Sequence, residues 1–425
     1  MYVARLELHQ FRNYSEVELR LDPGVTIFQG SNGQGKTNLV EAIEYLSRLG
    51  SHRVSNDTPL VKAGTEQAVI RAEVVAGTDD PRRLLLELEI NPGRANRARI
   101  NRGALPRTRD LLGALRTVVF SPEDLSVVKG DPAARRNFLD DLVISRWPRM
   151  LGVKQDYEKV VKQRNSLLKS LAQGHGDADA EFTLDIWDQQ LVSYGSELLA
   201  ARLDTLSELT GPTSRAYAQI APLNNQADAS YRAGFALPGD PAELPGAFAA
   251  ALADRRREER SRGLTLVGPH RDDLYLTIGE LPAKGYASHG ESWSLALALR
   301  LGAFELLRSD GIEAVLILDD VFAELDATRR DRLAKAARDA EQVLVTAAVA
   351  SDVPGELRGE RFNISAGQLI DVGPSDASPV EGDDRAGDDR AGDEAVTSHD
   401  GSVADGPEPS TEAFTAGDEE RPDHA

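Results

Sequence analysis

The chain lacks cysteine, has few aromatic residues and contains no long apolar run. Without cysteine it can form neither disulfides nor thiolate metal sites, so we expect a reducing, cytoplasmic compartment. The sequence shows no apolar stretch of about 18 residues and no signal peptide, which argues against insertion into a membrane. Its 425 residues are enough for two or three domains around a sizeable core.

Much of the formal net charge of −20 lies near the C-terminus. From Pro374 onward there are 16 acidic and 3 basic residues, including two tandem copies of the sequence DDRAG. A segment this polar cannot bury enough apolar area to offset the entropy of ordering it. We therefore predict a disordered acidic tail over 373–425. It could be a solvated extension, a DNA mimic or a partner-binding arm.

Residues 30–37 read GSNGQGKT, the spacing of a phosphate-binding loop, and directly follow the apolar run 25–28. Glycines let successive N–H groups surround a β-phosphate, Lys36 can reach the β- and γ-oxygens, and the Thr37 hydroxyl can bind Mg²⁺. A helix predicted over 36–49 adds the positive end of its dipole. The residues predicted to bind ATP here are Gly30, Ser31, Asn32, Gly33, Gln34, Gly35, Lys36, Thr37 and Asn38.

The second motif is a pair of acidic residues, Asp319 and Asp320, which directly follow the apolar run 314–318. This pattern is typical of a buried parallel strand that presents carboxylates at its C-terminal edge. There Asp319 would hold Mg²⁺, and Asp320 would orient or deprotonate the attacking water. Such a run can also be a strand followed by a helix cap, but the phosphate-binding loop in the same chain favours the metal site.

A third motif, the sequence SHGE at 288–291, precedes a helix predicted over 293–307. A turn of this kind presents a hydroxyl, backbone N–H groups and a helix dipole to an anion, although serine is also a common N-cap. Together with Asp326 beyond the acidic strand, the order of motifs resembles the signature and D-loop of the ABC-type ATPases. In that class Ser288 and Gly290 of one subunit would complete the nucleotide site of another. The resemblance therefore implies an ATP-dependent homodimer.

The hydrophobic pattern divides the chain into four regions, 1–132, 133–262, 263–372 and the tail. Alternating residues predict strands at 3–9, 69–75, 84–90, 98–100, 117–120, 274–278, 315–318 and 343–346. Helical periodicity predicts helices at 153–171, 182–209 and 242–260. The prediction is an α/β fold: an ABC-type P-loop ATPase head, a lobe of antiparallel strands and an inserted helical lobe.

The helical insertion is too short for a long arm. Its roughly 130 residues, folded back on themselves, would reach only about 100 Å at 1.5 Å per residue. We also expect four prolines to break its helices further. They are Pro212, Pro222, Pro238 and Pro241. A compact lobe is the prediction.

Five segments together resemble the RecF family of bacterial recombination mediators. They are residues 6–14, 30–38, 120–125, 268–273 and 318–326. The resemblance extends from Met1 to about Val372 and leaves the tail outside it. It implies a slow, DNA-dependent ATPase that uses Mg²⁺ and dimerises on ATP at junctions of single- and double-stranded DNA. It also implies work with RecR and RecO to load RecA at gaps, in recombinational repair, replication-fork maintenance and SOS induction.

Within this resemblance the catalytic set is Lys36, Asp319, Asp320 and Ser288. The metal ligands are Thr37 and Asp319, and Asp326 adds a nucleotide contact.

Four positions need comment. Asp320 stands where ABC-type ATPases usually have glutamate, and its shorter side chain fits slow hydrolysis. Glu291 stands where glutamine is common, and Thr346 where many ABC proteins place a phosphate-sensing histidine. Glu123 falls near the loop that usually senses Mg²⁺.

Six arginines cluster on the predicted β-ribbons and are our candidates for DNA contact. They are Arg94, Arg97, Arg99, Arg102, Arg107 and Arg109. Arginines on such ribbons can bridge phosphates without reading bases, but they could also form only a solvated surface. The absence of clustered aromatics favours a duplex or junction backbone over stacked single-stranded DNA. His52 and Arg53 could face either nucleotide or DNA.

Other classes share part of the pattern. A transporter ATPase subunit would have the nucleotide motifs but a shorter helical insert and a membrane partner. A chromosome-tethering structural ATPase would carry coiled-coil arms of several hundred residues. A P-loop kinase or metabolic NTPase would complete its site within one chain and would lack the Ser288 and Asp326 motifs.

Overall fold

The computed structural model describes residues 1–174, 178–221 and 226–371, so the predicted tail lies outside the described residues. The strands are β1 (Tyr2–Phe11), β2 (Tyr14–Arg20), β3 (Gly24–Gln29), β4 (Ala68–Gly77), β5 (Asp80–Ile90), β6 (Arg97–Ile100), β7 (Gly103–Ala104), β8 (Thr117–Phe120), β9 (Ala227–Arg232), β10 (Asp273–Ile278), β11 (Leu281–Pro282), β12 (Val315–Asp319), β13 (Gln342–Ala347), β14 (Glu360–Ser365) and β15 (Gln368–Asp371). The helices are α1 (Lys36–Arg48), α2 (Leu125–Lys129), α3 (Pro132–Arg146), α4 (Met150–Ala172), α5 (Ala178–Ile220), α6 (Leu244–Arg262), α7 (Ala283–Tyr286), α8 (His289–Ser309) and α9 (Ala327–Ala337).

The N-terminal sheet is antiparallel, in the order β2–β1–β4–β5–β6–β7, which confirms the predicted strand lobe. Leu6 and Leu8 alternate into the core along β1, and a register shift between Val3 and Arg5 lets Val3 join them. These side chains share one apolar cluster with α1 and with Ile317 of β12. The lobe therefore covers one face of the second sheet.

The second sheet, ordered β15–β14–β3–β13–β12–β8, is parallel except for β15. Strand β13 lies between β3 and β12, so the segments after those two strands meet at the same carboxyl edge. The opposite face is covered by a second apolar cluster that includes α8 and the C-terminal part of α5. This topology brings the phosphate-binding loop after β3 and Asp319 of β12 to one site.

The inserted region is mostly helical, and α4, α5 and α6 share an apolar cluster around Tyr157, Leu191 and Phe248. The prediction that Pro212 breaks a helix was wrong, because α5 is continuous through it. A proline forfeits one helical hydrogen bond, but the packing of α5 on α8 compensates. The two helices approach closely, since a Cβ added to Gly302 would lie 2.5 Å from Thr213 Oγ1.

Two further details differ from the sequence prediction. Phe182 and Ile186 belong to the apolar periodicity that predicted the helix at 182–209, but they are 68% and 39% exposed. Strand β9 lies in the region predicted to be helical, and it pairs antiparallel with β10 in a three-stranded sheet. Only Ala227 and Ala229 of β9 are buried, so its apolar alternation is weak. The proposed boundaries between head and helical lobe stay a prediction.

The sequence at 268–273 joins the insertion to the head. Tyr157 donates a hydrogen bond to His270 Nδ1 at 2.7 Å, and Arg135 binds Asp273 through two hydrogen bonds of 2.7 and 2.9 Å. The side chain of Asp272 accepts bonds from Tyr231 and from the N–H of Gly234. None of the helices in the described parts of the chain is long and apolar enough to cross a bilayer.

A candidate nucleotide and metal site

The loop between β3 and α1 has the backbone that phosphate binding requires. Gly30, Gly33 and Gly35 all have positive φ, a conformation that favours glycine. A Cβ added to Gly35 would also lie 2.6 Å from an Asn13 side-chain atom, so this position is limited by space as well. Helix α1 begins without a side-chain cap, and no acidic residue lies in its first turn. Its first N–H groups can therefore meet an anion.

The turn between β1 and β2 supports this loop from one side. Asn13 donates to the carbonyl of Gln34 at 2.9 Å and accepts from Asn38 at 2.8 Å, and Tyr14 donates to the carbonyl of Gly35 at 3.1 Å. The sequence FRNY at 11–14 carried the family resemblance, but its contact with the loop could not be read from the spacing of the residues. Its structural role is to hold the loop backbone in place.

Lys36 is 3% exposed, and its ammonium points into the loop. Its two hydrogen bonds, to the carbonyl of Ser31 and to Asn32 Oδ1, are long at 3.4 and 3.5 Å. Bonds of this length are weak. The ammonium can therefore exchange them for stronger bonds to phosphate oxygens.

Asp319 lies at the end of β12 and is 4% exposed. Its Oδ1 accepts hydrogen bonds from Thr37 Oγ1 at 2.9 Å and from Thr346 Oγ1 at 2.6 Å. Burial acts to raise the pKa of this carboxyl, but the bonds from His52, Thr346 and Thr37 outweigh it, and the pKa is lowered. Asp319 is therefore an anion at neutral pH.

His52 lies between two acids, a position that the sequence did not reveal. Its Nδ1 is hydrogen-bonded to Glu44, and its Nε2 is 3.7 Å from Asp319 Oδ2. Burial acts to lower the pKa of His52, but these two carboxylates raise it to about 10. Arg53 donates to Asn38 Oδ1 at 2.9 Å, beside the first turn of α1. His52 thus lies against Asp319, and Arg53 lies beside the phosphate-binding loop.

Asp320 follows Asp319 in a left-handed backbone conformation, with φ of 48°. Its N–H donates to Thr346 Oγ1 at 2.9 Å, so Thr346 links both aspartates. Its Oδ1 is buried without a hydrogen-bond partner among the described residues. Burial raises the pKa of Asp320, and nearby Lys36 acts against that rise. A buried carboxylate oxygen of this kind can accept a hydrogen bond from water.

These oxygens fit Mg²⁺. The Thr37 hydroxyl and the Asp319 carboxylate are hard oxygen donors, and the Asp320 oxygen without a partner among the described residues belongs to the residue after Asp319. Within the described ranges no cluster of three or more His, Cys, Asp or Glu could hold a metal. Mg²⁺ commonly takes only one or two carboxylates and fills its shell with water and phosphate oxygens.

Ser288 is the exposed N-cap of α8. Its Oγ accepts from the N–H of Glu291 at 3.2 Å, while the Glu291 carboxylate accepts from the N–H of Ser288 at 2.9 Å. This capping box needs an acceptor at position 291, which explains a glutamate there. In the described chain no hydrogen bond links Ser288 to residues 30–38. Asp326 caps α9 by accepting from the N–H of Arg329 at 2.9 Å.

The six arginines of the predicted DNA-binding cluster differ in whether they already form an ion pair within the chain. Opposite β6, strand β5 places Glu89 and Glu87, which form ion pairs with Arg97 and Arg99. Arg107 lies 3.5 Å from Asp110, and Arg109 reaches across to Gln155 of α4 at 3.3 Å. In the described parts of the chain, Arg94 and Arg102 have no ion-pair partner. Contact between these six residues and DNA stays a prediction.

Glu123, which the sequence analysis placed near the Mg²⁺-sensing loop, and Glu324 remain without an assigned role. Glu123 lines a cavity of about 520 Å³ together with His52 and Arg300. Glu324 lies in the turn that follows Asp320. Their part in metal sensing or catalysis stays a prediction.

Comparison with known proteins shows the family of this chain. The family described as "RecF/RecN/SMC N terminal domain" matches residues 2–353. The DNA replication and repair protein RecF of Cutibacterium acnes is 63% identical, covering 87% of this chain and 98% of the relative. The same-named protein of Streptomyces avermitilis is 57% identical, with 87% and 99% covered.

Similarity to solved structures leads to the same family. The recombination mediator protein RecF with ATP, of the RecFOR pathway, has a TM-score of 0.78 and 30% identity over 87% of this chain and 97% of that one. The Smc head bound to the C-winged helix domain of ScpA has a TM-score of 0.52 at 16% identity, over 88% of this chain and 98% of that one. The second likeness concerns the fold alone.

Proposed function

This chain belongs to the RecF family and is an ABC-type ATPase of DNA repair and recombination, and we propose that its ATP site is the one built around Lys36 and Asp319. The observation that carries the proposal is the hydrogen bond from Thr37 to Asp319, which joins the phosphate-binding loop to the acidic strand. The chain covers at least 97% of its RecF relatives, one of them a complex with ATP.

Each residue has a definite part in ATP hydrolysis. Residues 30–38 wrap the phosphates with backbone N–H groups, and the Lys36 ammonium binds the β- and γ-oxygens. Thr37 and Asp319 would hold Mg²⁺, which when bound would neutralise charge on the phosphoryl group. Asp320 accepts a hydrogen bond from the attacking water and orients it. The raised pKa of this carboxyl makes it a stronger base than an exposed aspartate.

We propose further that hydrolysis requires a homodimer. Ser288 and Asp326 are exposed at the ends of α8 and α9, and Ser288 has no hydrogen bond to the loop of its own subunit. Exposed groups at two helix starts suit an anion supplied by another molecule. Ser288, Gly290 and Asp326 would then complete the partner's ATP site.

We propose that this dimer binds DNA at gaps and at single-strand/double-strand junctions, in the cytoplasm. The RecF structures similar to this chain are described in the RecFOR pathway, which supports RecR and RecO as partners in loading RecA. Replication-fork maintenance and SOS induction follow from gap repair. A tethering ATPase or a transporter subunit is the alternative, but both relatives carry a DNA replication and repair name.

One experiment tests the site and the dimer together. The mass of the purified chain is measured with and without ATP and a gapped duplex, with ATPase rate followed in parallel. We expect dimers only with ATP. Lys36→Ala should abolish ATP binding and dimerisation, whereas Ser288→Arg should keep ATP binding as a monomer and lose dimerisation. ATP-driven dimers of Lys36→Ala, or failure of Ser288→Arg to bind ATP, would contradict the proposal.

A further inference from the structure

Arg329, near the start of α9, contacts two separate elements of the proposed partner-facing surface. Its Nε donates to Ser294 Oγ in α8 at 2.9 Å, and its guanidinium forms an ion pair with Asp326. The same group lies against the turn at Gly290, where an added Cβ would be 3.1 Å from Arg329 Nη2. One side chain thus contacts the turn at 288–291 (the signature turn), helix α8 that follows it, and the loop that ends at Asp326 (the D-loop).

Burial distinguishes Arg329 from a solvated surface arginine. Its side chain is only 18% exposed, and Ser294 is fully buried. Gly290 does not have positive φ, so its backbone conformation does not demand glycine. A larger side chain there would require the Arg329 guanidinium to shift by a few tenths of an ångström. Gly290 and Arg329 therefore pack closely against each other.

Capping of α9 does not account for these contacts. Asp326 caps the helix through the backbone N–H at position 329, which any residue except proline would supply. The bond to Ser294 and the packing on Gly290 come from the guanidinium alone. Arginine suits such a junction because its planar fork makes several hydrogen bonds in fixed directions.

We propose that Arg329 is a positioning residue that holds the signature turn and the D-loop in one fixed relation. Ser288 and Asp326 of one subunit then reach the other subunit's nucleotide together. This inference rests on the ATP-driven homodimer proposed above. In the described parts of the chain no hydrogen bond or ion pair joins Arg329 to residues 30–38 or to Asp319, so the role we assign to it acts through Ser288 and Asp326.

The test uses the full chain and four variants. Arg329→Gln removes the charge, Arg329→Lys keeps it, Ser294→Ala removes one hydroxyl, and a double variant combines Arg329→Gln with Ser294→Ala. Arg338→Gln, an exposed position at the end of the same helix, is the matched control. For each we would measure thermal midpoint, nucleotide affinity of the monomer, dimer dissociation constant with a non-hydrolysable ATP analogue, and kcat and KM for ATP.

We expect Arg329→Gln to raise the dimer dissociation constant at least tenfold and to lower kcat, with nucleotide affinity and KM close to those of Arg338→Gln. Arg329→Lys should recover only part of the loss, since one ammonium cannot bind Asp326 and Ser294 in the same geometry. Ser294→Ala should change dimerisation in the same direction. The double variant should be no worse than Arg329→Gln, because both changes break the same hydrogen bond.

Parent-like dimerisation and kcat in Arg329→Gln, or fully additive losses in the double variant, would overturn the inference. If Arg329→Gln fails to fold, Ser294→Ala decides: dimerisation equal to that of the parent would overturn it. A parent chain that stays monomeric with ATP would instead overturn the homodimer. If Ser288→Arg blocks dimerisation and Arg329→Gln does not, only the role of Arg329 is wrong.

Discussion

The Thr37 hydroxyl lies 2.9 Å from Asp319 Oδ1, although the two residues are 282 positions apart. The contact exists because β3 and β12 are parallel neighbours of β13 and end at the same sheet edge. Asp319 and Thr346 are also register partners, which aligns their side chains for the second bond. A buried carboxylate is thus held by two hydroxyls from different segments.

Asp320→Asn should separate ATP binding from hydrolysis. Asparagine keeps the shape of the side chain and tolerates the left-handed backbone at this position, but it is a far weaker base. We expect retained ATP-driven dimers, longer residence on gapped DNA and at least tenfold slower hydrolysis, about 1.4 kcal/mol of transition-state stabilisation. Single-turnover kinetics provide the measurement. Turnover near that of the parent would exclude Asp320 as the water-orienting group and would point to Glu123 or Glu324.

Thr346→Val should weaken hydrolysis through the two aspartates. Valine matches the shape of threonine but cannot accept from the N–H of Asp320 or donate to Asp319. An unpaired buried donor costs about 1–3 kcal/mol, so the thermal midpoint should fall. We expect kcat to fall at least fivefold while the monomer still binds ATP. Thr346→Ser keeps the hydroxyl and is the control; if valine and serine behave alike, the hydroxyl has no such role.

Acid should destabilise the joint between insertion and head through His270. Burial lowers the pKa of this imidazole to about 4, and the cations Arg271, Arg136 and Arg164 act in the same direction. The unfolded chain therefore binds a proton near pH 6.5, whereas the folded chain binds it only near pH 4. The free energy of unfolding consequently falls as pH drops through this window. The full effect is roughly 3 kcal/mol.

The measurement for His270 is urea denaturation at pH 7.5 and 5.0 of the parent chain and of His270→Gln. Glutamine does not titrate, so the variant should lose less stability than the parent between the two pH values, even if it is less stable at pH 7.5. Titration of the neighbouring Asp272 is common to both chains and cancels. Equal losses would mean that His270 does not control the acid response.

DNA binding by the arginine cluster should depend most on its unpaired members. Changing both Arg94 and Arg102 to glutamine should weaken binding to duplex DNA about equally across sequences. It should also lower the slope of log K against log salt by about 2, since each phosphate that is no longer neutralised accounts for about one unit. The control is Arg82→Gln, an 83% exposed arginine paired with Asp80 on the same sheet. An unchanged salt slope in the double variant would remove this surface from the DNA path.

Much of this architecture was readable from local patterns. Glycine spacing, the apolar runs before Gly30 and Asp319, and the serine at a helix start each reflect a backbone or burial requirement confined to a few neighbouring residues. Contacts between distant segments were not readable in this way. His52 and Thr346 were candidates from the sequence, but their hydrogen-bond partners were not predicted, and Arg329 was not singled out at all. These contacts form only when the sheet and α8 bring the distant segments together.

The errors have a physical cause as well. Pro212 was expected to end a helix because the local rule is strong, yet packing against α8 outweighs one missing hydrogen bond. Strand β9 was missed because its stability comes from pairing with β10 rather than from its own residues. In both cases tertiary contacts decided the local structure.

The continuity of α5 has a mechanical consequence. With 43 residues, the helix is about 64 Å long at 1.5 Å per residue. One end packs on α8, behind the turn that bears Ser288, and the other end is joined to α6 by the ion pair of Arg256 with Glu181. If α5 tilts as a stiff rod together with its contact on α6, a tilt of about 5° at α8 would displace its far end by about 6 Å. A pair of spectroscopic probes, one at the far end of α5 and one on the N-terminal sheet, would therefore report such a tilt as a change in distance.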